Sequence, residues 1–313
     1  MNYWGLFRES FGKLLHPTLW VFGLMAALSG GGNSRFEFKT SLPLADLPAG
    51  LRDLLGDRLQ SDAPAIIAVG LIISLVLLLL STFGQAGLLN LINRLENGER
   101  ISVGQGVDEA GKRFLHLLVV RFLLAVPLII IGVAAAGSVL SAFSGVFAQS
   151  EPSLSDLSFG NFSTMFGQMF GLLGLTLLVS LLVGGIGIGA ERAVVIEEQG
   201  IFKSLGVGAS LFIKQIGDFV IIGVLYIVVL IAVGLLFACV LLPVTFMGAT
   251  SGSLSPGDFA SPQTGGLVAV WTLVTGLLVG ALSMIFNASV WTLAYRQWRP
   301  QVVKRVVREE DQF

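Results

Sequence analysis

The stretch APAIIAVGLIISLVLLLLSTFGQAGLLNLIN (63–93) decides the fold, because 31 consecutive residues contain no Asp, Glu, Lys or Arg. Water has no claim on such a segment. Crossing about 30 Å of hydrocarbon takes roughly 20 helical residues, and only a helix or a closed barrel satisfies every backbone amide without water. Working outward, comparable uncharged runs extend over 14–34, 122–150, 157–190, 219–257 and 259–295. Their apolar cores lie at about 17–31, 64–83, 117–143, 166–189, 219–247 and 265–286, the first being the weakest. The expectation is an all-α polytopic membrane bundle of about six transmembrane helices.

Composition agrees with that pattern. Charged residues make up 12% of the 313 residues and hydrophobic residues 54%, where soluble domains carry roughly 25% charge; mean hydropathy is +0.84. One membrane domain spanning 1–313 is the simplest organisation. A formal net charge of -1 gives no basis for nucleic-acid binding. The lone Cys239 excludes an intramolecular disulfide and any multi-cysteine metal centre.

The distribution of basic residues sets the expected topology, since they concentrate on the cytosolic side. With both termini inside, 15 of the 19 lysines and arginines are cytosolic, and Arg35, Lys39, Arg52 and Arg58 share one external loop. That places the chain in the cell membrane as a multi-pass protein. The first residues form an interfacial helix with Trp4, Phe7, Phe11, Leu14 and Leu15 opposite Arg8, Glu9 and Lys13, ended by Pro17. Its alternative is a cleavable signal peptide. The external loop at 33–62 carries a short amphipathic helix, read as a connector in preference to a lid, and 299–313 is a charged cytosolic tail.

An offset of 102 residues pairs Gly87 with Gly189, Glu96 with Glu198, Gly98 with Gly200, Ser102 with Ser204, Gly104 with Gly206, Gly106 with Gly208, and Lys112 with Lys214. Seven identities across 26 ungapped positions indicate duplication of a helical hairpin, covering about 64–143 and 166–247. Each copy is expected to lay an amphipathic helix on the cytosolic surface, at about 102–115 and 201–214. A third such exit follows at 287–298, with Trp291, Tyr295 and Trp298 as interfacial anchors and Arg296 and Arg299 facing lipid phosphates.

The LWVFGLMAAL run (19–28), the span exits at Gly87 and Gly189 and the repeated surface helices give the chain a resemblance. It looks like a family of prokaryotic six-span proteins similar to the membrane domain attached to some glycerophosphoryl diester phosphodiesterases. No phosphodiesterase catalytic domain accompanies it here, so the resemblance implies a membrane module that engages lipid or a partner protein.

Candidate chemistry is sparse. His16 and His116 are the two histidines, HExxH is absent, and Asp218 has no second membrane aspartate to work with. No catalytic, metal or cofactor residues are assigned, and the chain is read as a non-enzyme. The glycines at 184–189 and the Gly167/Gly171 pair suggest close helix packing rather than a nucleotide loop. The candidate lipid-headgroup or partner face is Lys112, Arg113, Arg121, Glu191, Arg192 and Lys214, with Arg121 expected to snorkel to phosphate in preference to pairing with Glu191. Pro127 and Pro243 are candidate kinks. These residues point to a scaffold, accessory subunit or lipid-associated module whose partners are membrane lipids, another membrane complex or a second copy. The alternative is a transporter or channel for a lipid or small apolar solute.

Overall fold

The computed structural model describes residues 1–28, 49–147, 159–250 and 262–299. Among them the chain is all helical, without strands. Eight helices follow in order: α1 (Tyr3–Lys13), α2 (Pro17–Ala27), α3 (Ala49–Glu96), α4 (Val103–Phe147), α5 (Phe159–Val195), α6 (Ile201–Lys214), α7 (Ile216–Thr250) and α8 (Pro262–Trp298). Within α3, α4, α5, α7 and α8 lie five segments long and apolar enough to cross a membrane.

The first apolar stretch is described only in part. Its described helix, α2, has 11 residues and reaches about 16 Å at 1.5 Å per residue, roughly half a hydrocarbon layer. Pro17 starts it where a missing N–H costs nothing. Phe22, Leu19 and Ala26 are fully buried, so α2 is held by packing. A second difference concerns the external loop: from residue 49 onward the expected surface helix is the beginning of the 48-residue α3, continuous through Pro64. Residues 29–48 and 300–313 lie outside the described residues, as do the connections at 148–158 and 251–261.

The chain divides into two compact units, one formed by 1–114 with 217–313 and the other by 115–216. In the first, α2 packs against α3 and α8. Gly84 has room for no side chain because a Cβ would stand 2.7 Å from the Ala26 nitrogen, and Ser81 Oγ donates to the Ala26 carbonyl at 3.1 Å. α1 is capped by Asn2, whose side chain accepts from the Gly5 N–H. Trp20 Nε1 donates to the Leu14 carbonyl at 2.8 Å, satisfying a backbone group left open beyond the end of α1. The face of α1 packed within the protein is Leu6, Phe7, Ser10 and Lys13; of the apolar stripe read from periodicity, Phe7 joins that face while Trp4 and Leu15 are exposed at 82% and 85%.

The second unit is built on α5 and α6. Val120, Ala190 and Val194 form its buried centre, with Leu124, Ile201 and Leu205 packed around them. Gly189 meets the Cα of Gly208, where an added Cβ would approach to 2.8 Å, and Gly185 faces the Phe212 ring. The expectation for Gly167 and Gly171 is overturned: a Cβ at either would meet nothing within 4 Å. Pro127 lies inside α4, and Pro243 falls in the part of α7 whose side chains are outside the described residues.

Candidate functional site

Two polar assemblies merit attention, one in each unit, and both sit where a long helix ends in a tight connection. In the first unit, α3 stops at Glu96 and turns through Gly98 at φ +80°. The Glu99 N–H reaches the Arg94 carbonyl and the Gly98 N–H the Leu95 carbonyl, the pair of bonds that closes a helix through a left-handed glycine. Arg94 then ties the turn to α4, its Nη1 3.2 Å from Glu99 and its Nη2 3.5 Å from Glu109.

Other elements converge on the same helix end. Lys13 of α1 forms an ion pair with Glu96, both largely buried. Burial nevertheless holds the Lys13 ammonium down to about 8, with Glu9 opposing and Arg296 adding to the shift. Arg296 of α8 donates through Nη1 to the Asn93 carbonyl at 3.1 Å, to Asn93 Oδ1 at 2.7 Å and to Asn97 Oδ1 at 2.9 Å. A guanidinium thus caps the carbonyl end of α3, where a cation is favoured by the helix dipole.

Asp218, at the start of α7, accepts from the Tyr3 hydroxyl at 2.5 Å and from Trp298 Nε1 at 3.0 Å. The carboxylate raises the Tyr3 phenol above its ordinary range, with burial acting in the same sense. Trp298 also stacks on Phe219 with ring centroids 4.8 Å apart, and Phe219 stacks on Trp291 at 5.1 Å. Trp291 and Tyr295 are 6% and 1% exposed. Of the expected interfacial anchors of 287–298, Trp291 and Tyr295 are therefore buried and Trp298 half-buried, with Trp291 and Trp298 packed on Phe219 of α7, and Arg296 serves α3.

In the second unit, Arg121 of α4 donates through Nε to Glu191 Oε1 of α5 at 2.8 Å. The sequence reading put this pairing second to snorkelling; Glu191 is within reach and compensates the guanidinium. Arg192 is buried and donates to the Ile188 carbonyl one turn back at 2.8 Å. The connection after α5 carries Glu198 at φ +55°, and Gln199 Nε2 donates to Glu197 at 2.6 Å.

The six residues expected to form one face thus have separate roles. Lys112 and Arg113 belong to the first unit, the other four to the second. Lys112 is neutralised on its own helix by Asp108 at 2.7 Å and Glu109 at 3.2 Å, and Arg113 beside it is half-buried. Arg121 and Glu191 come together. Lys214 stands exposed at the end of α6, with no ion-pair partner among the described residues, and so does Lys203 one helix length earlier. The contacts of Lys13, Glu96, Asp218 and Arg296 were not foreseen; their partners are 80 or more residues away in sequence, and no periodicity reports such pairings.

Chemically, both assemblies close helix ends: Lys13 with Glu96 and Arg121 with Glu191 are ion pairs, whereas Arg296 and Asp218 are held by neutral hydrogen-bond partners. Among the described residues no group of three or more His, Cys, Asp or Glu side chains is placed to hold a metal ion. Compared with known proteins, residues 17–298 match the family model described as a Domain of unknown function (DUF7847). No curated protein and no solved structure shows a significant match.

Proposed function

Because the chain belongs to the DUF7847 family, whose description names no reaction, we propose from its geometry that it is a non-enzymatic integral membrane protein, a scaffold, accessory subunit or lipid-associated module. In this reading both termini and both helix elbows lie on the cytosolic side of the cell membrane, and α1 and α6 rest at the interface. The observation that carries it is the use made of the ionisable groups. Lys13 with Glu96, Arg296 with Asn93 and Asn97, Asp218 with Tyr3 and Trp298, and Arg121 with Glu191 hold helices in place. Groups spent on one another in this way are poor general acids or bases, which need a free position beside a substrate.

The internal duplication belongs to the same proposal. Gly87 abuts Gly106, where a Cβ would stand 3.1 Å from the Gly106 carbonyl, and Gly189 abuts Gly208; these are the same two pairs that the 102-residue offset matches in sequence. The likeness to the membrane domain attached to some phosphodiesterases is compatible with a module that serves a partner.

Affinity purification from native membranes tests the role. The expected result is stoichiometric co-purification with another membrane complex and loss of that complex on deletion of this chain. A solute flux in reconstituted vesicles that the chain alone supports would overturn it in favour of a transporter or channel for a lipid or small apolar solute. That second reading draws on Ser289 and Thr292 of α8, whose hydroxyls are buried without a hydrogen-bond partner among the described residues, since a solute path needs polar groups kept available.

A further inference from the structure

α6 is joined to α5 by five residues and to α7 by one, so two apolar helices fix its depth at the edge of the hydrocarbon. One face is already covered: Ser204, Gly208, Leu211 and Phe212 are buried. The opposite face is bare, with Phe202 82% and Ile213 73% exposed. Those two side chains are eleven positions apart, three helical turns or roughly 16 Å, and so share one stripe. Lys203 and Lys214 have the same spacing, are exposed, and form the adjoining stripe. Between the stripes only Gly206 and Ser210 intervene.

An apolar edge beside a cationic edge has a specific complement. Acyl chains take the rings and branched side chains, while phosphates just above them take the ammonium groups, reached by the flexible lysine stems. α6 contains no Asp or Glu, so nothing on the helix competes with an external anion. In sequence the flanking carboxylates are Glu197 and Glu198 before it, Glu197 being bonded by Gln199, and Asp218 after it, which accepts from Tyr3 and Trp298. Elsewhere in this unit the cation at the membrane edge, Arg121, is already paired.

We propose that α6 docks on the anionic phospholipid surface of the membrane the chain spans, with Phe202 and Ile213 inserted among acyl chains and Lys203 and Lys214 bound to headgroup phosphates. This deepens the proposed role of a lipid-associated module and rests on it for the position of α6; it makes the second unit sensitive to lipid charge. A basic residue at such a surface contributes about fivefold in occupancy, and two contribute roughly twenty-five-fold.

The test uses the full chain with Cys239→Ala and Ile213→Cys, reconstituted into vesicles of phosphatidylcholine alone or with phosphatidylglycerol. The reading is the rate at which a membrane-impermeant thiol reagent modifies position 213. The expected result is a rate at least tenfold lower in the anionic vesicles, restored in about 1 M salt, where the screening length falls to about 3 Å, and equally restored by Lys203→Gln with Lys214→Gln. The salt arm needs no further substitution, so misfolding of the lysine variant cannot carry the result. Equal rates in the two lipids, or anionic protection that survives both salt and the lysine changes, would overturn the proposal. Protection found only in native membranes and not in either vesicle would also overturn it, in favour of a protein partner. Alkaline carbonate extraction of the same samples separates the two ideas: a chain that stays with the vesicles while position 213 ignores lipid charge refutes lipid docking alone, whereas a chain released into solution refutes the membrane reading beneath it.

Discussion

The α3–α4 elbow and the α5–α6 elbow answer the same problem with different means. In the first, Phe22 of α2 wedges its ring against both Gly87 and Gly106, where a Cβ on either would come within 2.5 Å of the ring, and the turn closes on a left-handed glycine. In the second, Gly208 faces the backbone of Ile186 and Ala190 directly, with no third helix between them among the described residues, and the left-handed residue is Glu198, which lacks glycine's freedom. α4 runs on unbroken, whereas α6 ends at Lys214 and α7 starts anew at Ile216. The outward faces diverge further, since Lys112 is neutralised by Asp108 and Glu109 while Lys203 and Lys214 are not. The glycine pairs set how closely the helices approach; the surface charge is adjusted independently of them.

That contrast can be broken most severely at Gly208. A leucine there drives a branched side chain into backbone atoms that cannot rotate away, and Gly208→Leu is expected to cost 3 kcal/mol or more, on the order of the upper range for overpacking. Gly106→Ala, which meets a side chain, should cost less, and thermal melting in detergent ranks the two. Equal losses would mean that the Phe22 wedge is as unyielding as backbone. Next in size is Arg121→Ala, which removes the partner of a carboxylate whose side chain is 14% exposed. About 2–3 kcal/mol is expected, below the range for a fully buried pair, with Glu191→Gln in the Arg121→Gln background recovering part of it. Smaller again is Gly98→Ala, at about 1–2 kcal/mol for a left-handed position; the reciprocal Glu198→Gly should stabilise, and a loss instead would show that the Glu198 side chain holds the second turn. Lys112→Ala comes last: its pairs are exposed and local, and the melting temperature should stay within measurement error.

The long helices were legible because lipid imposes one simple demand, a run of apolar residues with every amide satisfied internally, and that demand is visible in 63–93 without knowing any neighbour. Hydropathy alone does not distinguish a helix that crosses lipid from one buried among other helices, and Leu19, Phe22 and Ala26 of α2 serve either purpose. The ring of contacts made by Lys13, Asp218 and Arg296 was invisible, since each joins residues remote in the chain and polar residues near a span end look alike whether they face phosphate or a partner. Arg121 shows the limit well. Its sequence environment allowed two outcomes, and the register between α4 and α5, which no single segment encodes, selected Glu191.

The division of the chain also has a temporal side. The first unit unites residues 1–114 with 217–313, and the other is complete within 115–216. A ribosome adding about 5–20 residues per second delays the closing half of the first unit by roughly 5–20 s after its opening half has emerged, while the intervening unit can already fold. During that interval Phe22 and the glycines around it are without α8, and the Asn93 carbonyl is without Arg296. The first-made half of this unit is thus completed by the last-made helix, α8.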